Sequence, residues 1–244
     1  MFEKKILPII NEKKILPIIK FILLFLGMAT FSSIPIALFN IPFDSFSMTM
    51  KSIYMLFCDI GFMAILLLVY KDKIFKDFKD YFKNFFSNFE EAFKYYFIGV
   101  IIMMVSNIII TFFIQGATAG NEEAVRKMID SVPLYMIFSV SIYAPFVEEI
   151  IFRHSIKDVV MAHSDNKSTR FVYIFLSGFI FAILHIIGQT TSYLDYVFLV
   201  PYMSLGLAFA ALYSKTNNIF SSISMHCLHN TFTIVLYFMA GGVI

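Results

Sequence analysis

The chain has 244 residues, a formal net charge of +2, a hydrophobic share of 59% and 31 phenylalanines, and its mean hydropathy is +0.79. This apolar share is well above that of soluble domains, and the small net charge gives no reason to expect a nucleic-acid partner. The composition therefore predicts an all-α, polytopic transmembrane helix bundle in contact with the lipid bilayer.

Seven apolar stretches are long enough to cross a hydrocarbon core, which takes about 20 helical residues. In chain order, the predicted spans are 21–41, 52–70, 94–116, 133–153, 170–188, 195–214 and 218–240. An eighth span would require different boundaries. The segment 71–93 alternates Phe with Lys and Asp at helical spacing, which predicts an interfacial helix rather than a span.

Basic residues are distributed unequally between the two sides of this layout. All lysines and arginines lie on one side except Lys51, Arg126 and Lys127. By the positive-inside rule, the chain is a multi-pass protein of the cell membrane with its N-terminus in the cytoplasm. Seven spans place the C-terminus outside, whereas eight would return it to the cytoplasm.

The chain is expected to have three parts. Residues 1–20 carry the repeat EKKILPII at 3–10 and 12–19. This repeat predicts a basic, amphipathic N-terminal segment that lies on anionic lipid, which we call the basic foot. Residues 21–129 predict N-terminal transmembrane helices with the amphipathic linker, and residues 130–244 predict a transmembrane core that contains most of the membrane-depth polar groups.

Ionisable groups at membrane depth cost roughly 2.5–3.5 kcal/mol each on insertion scales, so they mark functional candidates. They are Asp59, Glu148, Glu149, His185, His226 and His229. Asp59 could instead simply form a hydrogen bond to a hydroxyl or amide of a neighbouring span.

Helical spacing predicts how these groups pair. Glu149 and Arg153 are four residues apart and can form a salt bridge, which leaves Glu148 about 100° around the helix without a local partner. His226 and Asn230 share one helix face, one turn apart. His229 is expected to pack or to form a supporting hydrogen bond.

Three kinds of chemistry could use these groups. A zinc site would take Glu148, His185 and His226 as ligands, with one position open for water. In metal-free hydrolysis, Glu148 and His185 would polarise a water while His226 and Asn230 stabilise the oxyanion. The third is proton or ion transport along the same groups. Neither HExxH nor GxSxG occurs.

Three strings occur in order on separate predicted spans: EExxxR at 148–153, FxxxH at 181–185 and HxxxN at 226–230. Together they resemble the CPBP or Abi family of intramembrane proteases, which includes type II CAAX-prenyl endopeptidases and bacteriocin-processing and self-immunity proteins. The resemblance covers about residues 130–240.

The resemblance implies a role for each matched residue. Glu148 would activate water with help from His185, and His226 and Asn230 would stabilise the oxyanion. Glu149 and Arg153 would hold the geometry of the site. It leaves open whether the site needs no cofactor or needs zinc.

The implied substrate is a small membrane-associated or amphipathic peptide or membrane protein. The Phe-, Ile- and Lys-rich composition favours a bacterial source and hence a bacteriocin or pheromone precursor as client. The alternative is a non-catalytic immunity or regulatory protein that acts by binding a partner.

Membrane depth adds one structural prediction. At a rise of about 1.5 Å per residue, Glu148, His185 and His226 reach the same depth only if the fourth helix continues beyond Arg153. We therefore expect that helix to extend to about Met161 and the fifth to begin near Arg170. Arg153 should then pair with Glu149 inside the bundle.

Overall fold

The computed structural model describes residues 12–115, 118–162, 164–187 and 193–242. This part of the chain contains helices and no strand, which confirms the all-α prediction. The helices are α1 (Glu12–Thr30), α2 (Ser33–Phe39), α3 (Met48–Val69), α4 (Lys71–Lys83), α5 (Phe85–Phe113), α6 (Gly120–Ser131), α7 (Pro133–Met161), α8 (Lys167–Leu184), α9 (Leu199–Thr216) and α10 (Ile219–Met239). Short 3₁₀ helices are formed by Phe43–Ser45 and Tyr193–Phe198.

Six helical segments are long and apolar enough to cross a membrane: α3, α5, α7, α8, α9 with its preceding 3₁₀ turn, and α10. The bent pair of α1 and α2, which meet at 69°, would be a seventh. The described residues contain no eighth candidate, so the prediction of about seven spans is confirmed.

The N-terminal segments differ in part from their predicted boundaries. Residues 1–11, which include the first copy of the repeat, lie outside the described residues. The second copy forms the beginning of α1, which continues to Thr30 without a break at residue 20. Within the described residues, the second half of the predicted foot is therefore continuous with the first apolar helix.

The predicted interfacial segment 71–93 is divided at Asn84. Its first half is α4, whose buried side chains are Ile74, Asp77 and Tyr81, whereas its phenylalanines are exposed. Its second half, 85–93, begins the long helix α5. The prediction of one interfacial segment is wrong for this second half, because Asn84 leaves helical geometry and a new helix starts directly after it.

Asp77 connects α4 to the beginning of α10. One carboxylate oxygen accepts the backbone N–H of Ile219 at 2.8 Å, and the Asp77 backbone carbonyl accepts from Asn218 Nδ2 at 2.8 Å. An acidic group at a helix N-terminus satisfies otherwise unpaired backbone donors. This contact fixes the start of α10, the helix that carries His226.

Helices α8 and α9 approach each other backbone to backbone. A Cβ atom at Gly178 would lie 2.9 Å from the Leu207 backbone nitrogen, and one at Gly206 would lie 2.8 Å from the Gly178 carbonyl oxygen. Small residues allow this close packing between membrane helices. The contact places α8, with His185 at its end, directly against α9.

Helix α7 forms the centre of the bundle and contains two π-helical segments, Ser139–Tyr143 and Glu149–Ser155. It continues to Met161, and α8 begins at Lys167. The prediction that this helix extends beyond Arg153 is therefore confirmed. π-Helical turns are uncommon and occur often at functional sites, because they leave backbone groups without their usual partners.

Candidate active site

A fully buried ion pair lies on the second π-helical segment of α7. Arg153 Nε is 3.0 Å from Glu149 Oε2, and both side chains are 0% exposed. The predicted pairing of these residues inside the bundle is thus confirmed. The N–H of Arg153 is not directed at the oxygen, so the contact is an ion pair without a well-aligned hydrogen bond.

Helix α8 provides the remaining surroundings of Arg153. Arg153 Nη1 donates to Ser177 Oγ at 3.1 Å, and the Ser177 hydroxyl donates in turn to the Phe152 carbonyl at 2.7 Å. The guanidinium lies 4.7 Å from the centroid of the Phe181 ring. These contacts hold the buried charge by polar and cation–π interactions.

His226 lies between the two adjacent glutamates. Its Nδ1 is 2.9 Å from Glu149 Oε1, and its Nε2 is 3.8 Å from Glu148 Oε2. An ionised carboxylate oxygen can only accept, so the imidazole donates its Nδ1–H to Glu149 and turns Nε2 toward Glu148. The separation from Glu148 is longer than a direct N–H···O hydrogen bond.

Aromatic rings hold the imidazole of His226. The Phe209 ring lies 5.3 Å away between centroids, and the Phe181 ring contacts it at 5.8 Å in an edge-on arrangement. Side-chain exposure is 6% for His226 and 0% for Glu149, compared with 19% for Glu148. Glu148 is therefore the most accessible of the three groups.

His185 lies at the end of α8. Its Nδ1 is 2.8 Å from the Phe181 carbonyl oxygen, which can only accept, so Nδ1 carries the hydrogen and Nε2 has a free lone pair. The Phe181 ring contacts both His185 and His226. No hydrogen bond or ion pair joins His185 to Glu148 or His226 in the structure. The geometry thus gives the two histidines a common neighbour but no direct contact.

Asn230 lies one turn beyond His226 on α10. Its Nδ2 donates to the Val140 carbonyl at 2.8 Å, and Val140 belongs to the first π-helical segment of α7. The Asn230 amide therefore provides a hydrogen-bond donor to a backbone carbonyl in the π-helical segment. Its predicted role at the oxyanion stays a prediction.

Two further membrane-depth groups have supporting partners. His229 Nδ1 lies 3.4 Å from the Tyr96 hydroxyl, in line with the supporting role expected from sequence. Asp59 accepts from the Tyr135 hydroxyl at 3.1 Å, the kind of neighbouring-span bond that was the alternative explanation for it.

Sequence reasoning did not single out three residues that contribute to the site or lie beside it. Ser177 and Phe181 contact Arg153, and His154 is buried with its Nδ1 3.0 Å from the Tyr213 hydroxyl. Phe181 is the first residue of the FxxxH string and His154 directly follows the EExxxR string, so their positions in the sequence could have indicated that they lie near the site. Ser177 carried none.

The acidic and imidazole side chains of the site do not form the predicted zinc site. Within the residues that the structure describes, no three His, Cys, Asp or Glu side chains are grouped closely enough to hold a metal ion. The Nδ1–H of His226 on Glu149 leaves Nε2 available toward Glu148, but His185 has no ion-pair or hydrogen-bond contact with Glu148. In this arrangement Glu148, His185 and His226 do not fit a three-ligand site.

Comparisons with known proteins find similarity to membrane peptidases. Residues 130–232 match the model described as type II CAAX prenyl endopeptidase Rce1-like. The chain is 33% identical over 121 residues to "Putative membrane peptidase YdiL" of Bacillus subtilis (strain 168), which covers 50% of this chain and 44% of that protein. No solved structure shows a significant match.

Another bacterial relative is the "Membrane-embedded CAAX protease MroQ" of Staphylococcus aureus (strain USA300). It is 29% identical over 139 residues, covering 56% of this chain and 53% of MroQ. The chain thus spans about half the length of the curated relatives it matches. The region matched by the family model contains all three sequence strings. Residues 130–232 of this chain are therefore similar to the Rce1-like type II CAAX prenyl endopeptidases, in agreement with the resemblance carried by the three strings.

Proposed function

We propose that the chain is an intramembrane endopeptidase that hydrolyses a peptide bond of a small membrane-associated or amphipathic peptide. The observation that carries this proposal is the position of His226, with one ring nitrogen on the buried Glu149 and the other facing the more accessible Glu148. The family match over residues 130–232 supports the reaction class.

Glu148 is the proposed general base. It takes a proton from a water molecule, and the resulting hydroxide attacks the carbonyl carbon of the scissile bond. The protonated Glu148 then returns the proton to the amide nitrogen as the C–N bond breaks, which releases an amine and a carboxylic acid. His185 is proposed to help orient the water through its free Nε2.

His226 is the proposed stabiliser of the tetrahedral intermediate. When both of its nitrogens carry hydrogen, Nδ1 donates to Glu149 and Nε2 can donate to the oxyanion. Glu149 orients the ring, and Arg153 holds Glu149 in place. A buried carboxylate that orients a catalytic imidazole has the same physical role in other hydrolases.

Asn230 is proposed to act chiefly on the shape of α7. Its hydrogen bond to the Val140 carbonyl ties the catalytic helix to α10, which carries His226. Because the donor set does not fit a zinc site, no step of the proposed mechanism passes through a metal ion.

The proposed location is a bacterial cell membrane, with the N-terminus in the cytoplasm and a bacteriocin or pheromone precursor as client. The uneven distribution of basic residues supports the orientation, and the bacterial relatives support the source. Both relatives are named as membrane peptidases or proteases, which supports a peptide substrate.

The test is peptide cleavage by the full chain in lipid nanodiscs, with a library of quenched fluorescent amphipathic peptides as probe. We expect cleavage by the unmodified protein and a loss of roughly 10²–10⁴-fold in Glu148→Gln, because the amide cannot accept the proton of water. The matched control is Glu123→Gln, an exposed glutamate on α6.

The proposal fails if Glu148→Gln cleaves the same peptides at the same rate as the unmodified protein. Absence of cleavage by the unmodified protein across the library would instead favour the non-catalytic alternative, an immunity or regulatory protein that binds a partner.

A further inference from the structure

Three lysine side chains from three helices surround two tyrosine rings at one end of the bundle. Lys20 Nζ of α1 lies 4.8 Å from the centroid of the Tyr70 ring. Lys73 Nζ of α4 and Lys157 Nζ of α7 lie 5.7 Å and 4.7 Å from the centroid of the Tyr213 ring. We call Lys20, Lys73 and Lys157 the lysine cluster.

Two ammonium groups of the cluster converge on one residue. Lys73 Nζ donates to the backbone carbonyl of Asn217 at 2.6 Å, and Lys157 Nζ donates to the Asn217 side-chain oxygen at 2.9 Å. Both also lie over the same tyrosine ring. Two like charges held this close repel each other, especially where water is partly excluded. The Lys73 side chain is only 24% exposed.

The neighbouring carboxylates do not balance the cluster. Asp77 pairs with Lys73 at 2.7 Å, and Asp158 interacts electrostatically with all three lysines. No carboxylate with a described side chain lies within salt-bridge distance of Lys20 or Lys157. Three ammonium groups against two carboxylates leave an excess of one positive charge.

The surrounding residues add no further negative charge. His154 bonds to the Tyr213 hydroxyl and packs on the Tyr70 ring, so it contributes no anion. Asp165 is paired with Arg170 at 2.7 Å. The excess positive charge of the cluster is therefore not cancelled by the protein groups described around it.

The position of the cluster indicates where its counter-ion would come from. Tyr70 joins α3 to α4, Lys157 lies in the last turns of α7, and Asn217 follows the end of α9. These helix ends lie on the side that carries most of the basic residues. Basic pockets between membrane helices on the cytoplasmic side bind the headgroups of anionic lipids.

We propose that the lysine cluster is a binding site for a phosphate group, carried by an anionic phospholipid or taken up as free phosphate. The phosphodiester of phosphatidylglycerol has one negative charge, which matches the excess of the cluster. Its acyl chains would extend along α1, whose Ile19, Ile22 and Leu23 side chains are exposed. The site is separate from Glu148 and does not depend on peptidase activity.

The test measures the thermal unfolding midpoint of the full chain in detergent with added phosphatidylglycerol, phosphatidylcholine or sodium phosphate. We expect phosphatidylglycerol to raise the midpoint more than phosphatidylcholine does, because choline neutralises the phosphate of the latter. Lys20→Gln and Lys157→Gln should each weaken phosphatidylglycerol binding by about fivefold.

Two controls separate binding from folding. Lys79→Gln, an exposed lysine elsewhere on α4, should respond to phosphatidylglycerol as the unmodified protein does. Lys20→Arg keeps the charge and should keep the response. Lys20 contacts the Tyr70 ring and interacts with Asp158 without forming a salt bridge to it, so its replacement should shift the lipid-free midpoint only slightly.

Comparing the responses to phosphatidylglycerol and to sodium phosphate also identifies the source of the phosphate group. A rise with sodium phosphate that is lost in Lys20→Gln assigns the site to free phosphate, whereas a rise with phosphatidylglycerol alone assigns it to lipid. Equal responses to both lipids and none to phosphate overturn the proposal. So does a phosphatidylglycerol response that both glutamine variants retain in full.

Discussion

His226 on α10 donates from Nδ1 to Glu149 on α7 across a distance of 2.9 Å. Glu149 is itself held by Arg153, one turn further along α7. The orientation of the imidazole thus depends on a buried ion pair that need not touch the substrate.

Glu149→Gln tests this dependence. An uncharged amide can still accept a hydrogen bond from Nδ1, but it loses the charge that holds the ring and interacts with Arg153. We expect kcat to fall by up to about 10⁴-fold, as when the buried carboxylate that orients a catalytic imidazole is replaced by an amide, while KM changes little. The readout is steady-state cleavage of a peptide identified in the library assay. A rise in KM at constant kcat would assign Glu149 to substrate binding instead.

The Glu149–Arg153 pair should be strongly coupled in stability. Arg153→Gln leaves a buried carboxylate without its cation, and we expect it to cost about 3–5 kcal/mol. Glu149→Gln combined with Arg153→Gln should cost less than the sum of the single changes, because neither charge is then left alone. Unfolding in mixed detergent micelles measures the cycle.

The matched control for that cycle is the exposed pair Glu123 and Lys127 on α6. Replacing either by glutamine should leave the unfolding transition unchanged, because solvent screens an exposed ion pair. Additive costs for Glu149→Gln and Arg153→Gln would show that the two buried charges do not stabilise each other.

Metal removal separates zinc-dependent hydrolysis from metal-free hydrolysis, both of which the sequence left open. We expect peptide cleavage to continue after exhaustive chelation and dialysis, because the described acidic and imidazole groups do not form a three-ligand site. The measurement combines cleavage rates with elemental analysis of zinc in the same sample. Activity that disappears on chelation and returns with added zinc would assign Glu148, His185 and His226 to a metal.

Asn230→Ala tests the contact between α10 and the first π-helical segment of α7. The Val140 carbonyl would lose its side-chain donor, and an unsatisfied acceptor in this region costs about 1–3 kcal/mol. We expect a lower thermal unfolding midpoint in detergent. The control is Asn107→Ala, since the described structure gives Asn107 no side-chain hydrogen bond. An unchanged midpoint with a large loss of kcat would return Asn230 to the oxyanion role.

Much of the site could be predicted because charged residues in a membrane span have few acceptable positions. The four-residue spacing of Glu149 and Arg153 predicted their ion pair, and the need for a common depth predicted that α7 would extend to Met161. Both follow from the regular rise and turn of a helix. The number of spans follows from the lengths of the apolar stretches alone.

Other features depend on contacts that no local pattern encodes. The hydrogen bond between Asn230 and Val140 requires a π-helical turn, and the sequence of α7 does not reveal where an extra residue enters the helix. The division at Asn84 was missed because amphipathic spacing continues on both sides of it. The position of His185 depends on how closely α8 packs against α9, which is set by glycines rather than by the histidine string.

That close packing leads to the last prediction, Gly206→Ala. The new methyl group would lie 2.8 Å from the Gly178 carbonyl oxygen, and backbone cannot move aside as a side chain can. We expect α8 and α9 to separate, at a cost of about 1–3 kcal/mol, and peptide cleavage to fall because His185 moves with the end of α8. The control is Gly61→Ala, whose nearest contact is the Phe31 ring at 3.3 Å, a side chain that can turn away. Thermal unfolding and cleavage rates measured on both variants check the prediction. Equal midpoints would mean that the α8–α9 contact has room for a methyl group, and the position of His185 would then need another explanation.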